Sequence, residues 1–162
     1  MRVLALTLTT ALLALSSGVA QADAPQTDLV VTGSQTAELK ASDANACYID
    51  DQSGFNGQLT DPSVNDIISI NVASGVGDHP AKASDGHPQI TMLGIDEQSQ
   101  DNPFINWSAS GGTVTLDNTD TQVPLDDGSA STHGVQGHIE ADLSSPSGTI
   151  HISGPFACHL AG

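Results

Sequence analysis

From Leu29 onward no stretch of the chain sustains a helical period. Short runs of alternating β-type residues are separated by clusters of Gly, Pro, Asp, Asn and Ser. That punctuation excludes helical bundles and βαβ architectures, which need amphipathic segments of ten residues or more. In Asp66 to Val72, Ile68, Ile70 and Val72 point one way and Ser69 and Asn71 the other. Leu29-Val30-Val31, ending at Gly33, and Gln89 to Ile95 are further strands. Phe104 to Ser110 and Thr113 to Leu116 flank Gly111-Gly112, a two-residue hairpin signal. Val135 to Leu143 and Thr149 to Cys158 form the clearest pair, closed by Ser144-Ser145-Pro146-Ser147-Gly148. The expected fold is all-β, an antiparallel β-sandwich with a barrel as the alternative.

The start of the chain has a different character. Arg2, the apolar run Val3 to Leu15 and the small-x-small site Ala20-Gln21-Ala22 read as a secretory signal peptide over residues 1–22. A polar lead-in, expected to be flexible, covers residues 23–28. One domain then runs over residues 29–162. The address implied is secreted, extracellular or cell envelope. The apolar run is shorter than a bilayer span and no later segment replaces it, so no membrane span is expected.

Cys47 and Cys158 are the two cysteines. In an exported chain they predict one disulfide closing a long loop. Neither lies in a nucleophile motif.

The formal charge of the whole chain is −16 and becomes −17 once Arg2 leaves with the leader, since Lys40 and Lys82 are the remaining cations. Such a surface repels nucleic acid, which binds through clustered Lys and Arg. A divalent cation or an extracellular protein or ligand is the partner class that fits.

The closing hairpin carries the candidate chemistry. Alternation buries Ile139, Ala141, Leu143, Ile150, Ile152 and Phe156 and leaves His138, Glu140, Asp142, His151 and Ser153 on the other face. If Leu143 pairs with Ile150, Asp142 stands opposite His151. His138, Glu140, Asp142 and His151 are therefore metal candidates, beside the simpler reading of a solvated sheet face. His79 and His87 share one loop, spaced similarly to a zinc loop of copper–zinc superoxide dismutases, but the His-x-His copper strand is missing. Asp50-Asp51, Asp117 with Asp120, and Asp126-Asp127-Gly128 are loop carboxylates that suit weak calcium sites or ordinary turns. Trp107 shares a strand face with Ile105 and Ala109, which predicts a core position. No serine elbow, phosphate loop or His-Glu-x-x-His motif is present. No catalytic residue and no cofactor is assigned. The stretches Ala73 to Pro88 and Asp117 to His133 are expected to be long surface loops, where function usually resides.

Several segments resemble a family of small secreted actinobacterial β-rich proteins. They are Gly134 to Leu143, then Gly148 and Ile150 to Cys158 with its Ser153-Gly154-Pro155-Phe156-Ala157-Cys158 ending. Gly111 to Leu116, and Cys47 followed by Phe55-Asn56-Gly57, fit the same layout. More distantly, the two-cysteine plan resembles the mycobacterial nineteen-kilodalton lipoprotein antigen, without its lipidated cysteine: Ala22-Asp23 stands at that point. The resemblance implies a structural scaffold, neither lipid-anchored nor enzymatic. The expected role is a non-enzymatic binding or surface-display module. The alternative is a metal-using or carboxylate-based extracellular enzyme working in the long loops.

Overall fold

Period-two alternation marks long stretches of the strands. The computed structural model describes residues 26–40, 45–61, 66–95, 104–125, 127–128 and 130–161. The signal-peptide reading at 1–22 lies outside them. The strands are β1 (Asp28–Gly33), β2 (Ala37–Lys40), β3 (Ala46–Asp50), β4 (Gly54–Asp61), β5 (Asp66–Val72), β6 (Gly77–Pro80), β7 (Ile90–Ile95), β8 (Phe104–Pro124), β9 (Ser131–Ser145) and β10 (Gly148–Leu160). No helix occurs among the described residues. In β5, Ile68, Ile70 and Val72 are buried while Ser69 and Asn71 face outward, as the alternation requires.

The strands close into a ring, β10–β3–β4–β5–β7–β8–β9–β10, a seven-stranded barrel where a sandwich was expected. The reason lies in strand length. β8 pairs with β7 through Phe104–Ser108 and with β6 through Thr113–Leu116. β10 pairs with β1 through Ile150–Ser153 and with β3 through His159 and Leu160. Strands this long serve both halves of the structure, so two separate sheets never form. The ring is antiparallel except between β10 and β3, which run parallel.

Gly111-Gly112 does not turn the chain. β8 runs straight through it, with a bulge between Ala109 and Gly111. The bulge switches the buried positions from odd (Trp107, Ala109) to even (Val114, Leu116), as one extra residue must. Gly112 has φ +107°, and a Cβ there would run into the Glu140 carbonyl and Ala141. The glycines thus serve a close strand crossing rather than a hairpin. Most of the expected loop from Asp117 to His133 is likewise strand: β8 and β9 remain paired out to Pro124 and Ser131. The stretch from Ala73 to Pro88 contains β6.

The closing hairpin is as read, with Leu143 opposite Ile150 and Asp142 opposite His151. Trp107, Phe55 and Phe156 fill the barrel with Leu29, Leu39, Leu59, Ile68, Ile139 and other aliphatics. The Phe55 and Phe156 ring centres are 6.2 Å apart. Gly137 lies beside Phe156, where a side chain would collide with the ring.

Thr27, just before β1, is buried. Its Oγ1 donates to the Ala157 carbonyl (2.9 Å) and accepts from the Ala157 N–H and the Asn45 amide (each 3.0 Å). The Asn45 Oδ1 in turn accepts from the Thr60 N–H. These bonds satisfy buried polar groups where β3, β4 and β10 meet. Cys47 and Cys158 form the disulfide, with Cα atoms 5.7 Å apart. Such bonds form and persist in oxidising compartments.

Candidate functional site

Four strands, β8, β9, β10 and β1, carry the charged outer face. Pairing sets it out in rows: Thr32, His151, Asp142 and Gly111 in one, and Val30, Ser153, Glu140 and Thr113 in the next. His151 is held from both sides. Its Nδ1 lies 2.8 Å from Asp142 Oδ1, its direct cross-strand partner. Its Nε2 lies 3.0 Å from Glu140 Oε1, reached along the diagonal. With both ring nitrogens facing carboxylates, the doubly protonated imidazolium is the form that satisfies every contact. The hydrogen bond to Asp142 chiefly raises the His151 pKa above its ordinary 6.5, helped by the Glu140 charge and opposed by partial burial. About a third of the His151 side chain stays exposed (38%), so the cluster works in a watery dielectric.

His138 belongs elsewhere. It is paired in register with Thr115 and Pro155, and its Nδ1 bonds Asp117 on β8. The four sequence candidates thus divide into a Glu140–His151–Asp142 cluster and a separate His138–Asp117 pair. A third pair, His133 with Asp120 (2.6 Å), lies further along the same two strands. Among the described residues, no three His, Cys, Asp or Glu side chains are grouped to hold a metal ion. The His79 Nε2 lies 2.9 Å from the Gly75 carbonyl oxygen, and the backbone N–H of His87 donates to Asp85 Oδ1. Asp50 accepts from the Gln52 and Ser53 N–H groups, and those bonds lower its pKa: it caps a turn. Asp126 lies outside the described residues.

A depression of about 380 Å³ adjoins the cluster, bordered by Thr32, Ser110, Asp142, Thr149 and His151. Ser110 Oγ donates to the Asp142 carbonyl (3.0 Å), and His151 spends both nitrogens on carboxylates. The geometry places the His151 ring between two carboxylates, and the Ser110 hydroxyl on a backbone carbonyl rather than on that ring. Sequence reasoning missed Asp66, which is buried at the start of β5 with both oxygens 3.3 Å from the Gln35 amide nitrogen. Its position at the polar end of a strand gives no local sign of burial.

Comparison with protein-family models, curated proteins and solved structures finds no match to this chain. What defines it is architecture: an acidic, all-β barrel clasped by one disulfide, with imidazole–carboxylate pairs along one outer face.

Proposed function

We propose that the protein is a secreted or envelope-associated, non-enzymatic module that binds or displays through its outer surface. One observation carries this reading: side chains of the core fill the barrel, so recognition has to take place on the outside. The disulfide suits an oxidising, extracellular-type setting. The resemblance to small secreted actinobacterial β-rich proteins points the same way. The acidic net charge disfavours nucleic acid as the partner.

The test uses oxidised protein purified from an exporting host. It is immobilised and offered soluble polysaccharides, lipid vesicles and small basic proteins. In parallel it receives chromogenic esters, glycosides and phosphate esters, with and without Zn²⁺ and Ca²⁺. Saturable binding without turnover is expected. Turnover abolished by Asp142→Asn or His151→Gln would replace this reading with an enzyme.

A further inference from the structure

The half of the barrel away from the His–carboxylate rows has a different chemistry. Outward positions on β3, β4 and β5 form two rows, Tyr48–Asn56–Asn71 and Ala46–Gln58–Ser69. The second row continues across β7 and β8 through Thr91 and Ser108. A third, Thr60–Ile67–Leu93–Asn106, flanks it. None of these side chains ionises except the Tyr48 phenol, in a chain whose formal charge is −16. Asp50, at the turn beyond Tyr48, accepts two backbone N–H groups on its Oδ1 and does not line the depression described next.

The surface here is concave. A depression of about 240 Å³ is lined by Tyr48, Asn56, Gln58, Ser69 and Asn71, with Gly57 between them. We propose that this depression binds a neutral saccharide, one ring of a glycan lying against Tyr48 with its hydroxyls on the surrounding amides. The proposal rests on the reading of the protein as a binding module and names its ligand class.

Three features support it. Tyr48 is half exposed (50%) in a protein that buries Trp107, Phe55 and Phe156. An aromatic ring offers an apolar face to the C–H side of a sugar and keeps a polar tip for water or a hydroxyl. Around it, Asn56, Gln58 and Asn71 each present both a donor and an acceptor, which match the paired donor–acceptor character of vicinal hydroxyls. Asn56 bonds weakly to Ser53 Oγ (3.4 Å). Among the described residues the Gln58 and Asn71 amides have no side-chain partner and remain available. The strands bring these groups about 4.8 Å apart, close to the length of a sugar ring. Finally, the size and the charge agree. The depression is smaller than the roughly 300–1,000 Å³ of drug-sized pockets and suits one ring. An anionic glycan would meet the acidic field of the whole molecule, and among the described residues lining the depression there is no carboxylate to draw a cation.

Affinity electrophoresis tests this, with the oxidised protein run through gels containing dextran, mannan, a β-1,3-glucan or arabinogalactan. Retardation by at least one of these neutral polymers is expected, little changed between 50 and about 500 mM salt because no ion pair is involved. Tyr48→Ala should weaken it at least tenfold with an unchanged melting temperature. Asn71→Asp, which keeps the shape and adds a charge, should do the same and serves if Tyr48→Ala folds poorly. Phe104→Ala removes an equally exposed ring elsewhere and should change nothing. Retardation by none of the four polymers, or retention of binding in both Tyr48→Ala and Asn71→Asp, would overturn the proposal. Binding to vesicles or basic proteins alone would sink the saccharide site and leave the binding module standing. Cleavage of a retarding polymer would do the reverse.

Discussion

Cys47 is bonded to Cys158 at the seam where the barrel is held by its shortest ladder. Only Ala46 and Cys47 of β3 pair with β10, opposite His159 and Leu160. The backbone bonds His159 N–H to Asn45 carbonyl and Ala161 N–H to Cys47 carbonyl complete the closure. Every other junction of the ring is longer and antiparallel. The disulfide is therefore a clasp across the one parallel joint, and it ties residues 111 apart in sequence.

Reduction should accordingly open the barrel at that joint first. A thiol reagent added to denatured, unreduced protein should find no free sulfur. Loop entropy for a closure of about 100 residues sets a scale near 4.7 kcal/mol, from which native strain subtracts. The melting temperature should fall on reduction, and the His159 and Ala161 amides should gain the most in hydrogen exchange. An unchanged melting temperature would refute the clasp.

Gly112→Ala should cost more than Gly75→Ala. Both residues have positive φ, +107° and +128°, so both substitutions introduce backbone strain of about 1–3 kcal/mol. Gly75 faces open space, whereas a Cβ at Gly112 meets the Glu140 and Ala141 backbone. Overpacking adds about 1–3 kcal/mol more at Gly112. Equal losses in denaturant unfolding would show that the β8–β9 crossing has room to spare.

His151 sets a pH dependence of known sign. Its pKa is raised in the folded state, so its stabilising contribution is complete below the ordinary value of 6.5 and is lost as pH rises through the folded pKa. His151→Gln removes the contribution. The gap in melting temperature between parent and variant should be wider at pH 5.5 than at pH 8.5. Solvent exposure keeps the effect below about 1 kcal/mol. A gap that widens toward alkaline pH would contradict the Glu140–His151–Asp142 geometry.

Zinc tests the same face differently. With His151 occupied by two carboxylates and His138 turned to Asp117, Zn²⁺ should shift the melting temperature equally little in the parent and in the His138→Gln, His151→Gln double variant. Binding to the native state alone would give about 2.7 kcal/mol at a hundredfold excess over Kd. Such a gain in the parent only, fading at acid pH, would make the face a metal site.

The acidic charge predicts the response to salt. DNA and RNA should not be retained in gel shifts at moderate ionic strength, since Lys40 and Lys82 supply no phosphate-tracking surface. Added salt should raise the melting temperature by screening repulsion among the acids. Salt-sensitive retardation of a nucleic acid would overturn this.

The sequence by itself determined what is local. In β9 and β10, alternation and a tight turn place Leu143 against Ile150 and hence Asp142 against His151, because a one-residue slip would turn the buried Ile and Leu side chains outward. The core position of Trp107 follows from the same period, and the disulfide from there being two cysteines to pair. Tertiary structure decided the rest. Gly111-Gly112 satisfies a hairpin and a bulge equally well, and only the approach of Glu140 and Ala141 selects the bulge. The paired arm from Asn118 to Pro124 reads as loop because it is exposed or half-buried at most positions, so no apolar alternation marks it. β2, β3 and β4 carry too few apolar residues in a row to be recognised alone. Barrel closure depends on β3 meeting β10 in parallel after more than a hundred intervening residues, and the uncharged face is assembled from five strands. Such contacts are set by which distant surfaces bury each other best, and no neighbouring residue in the chain records that choice.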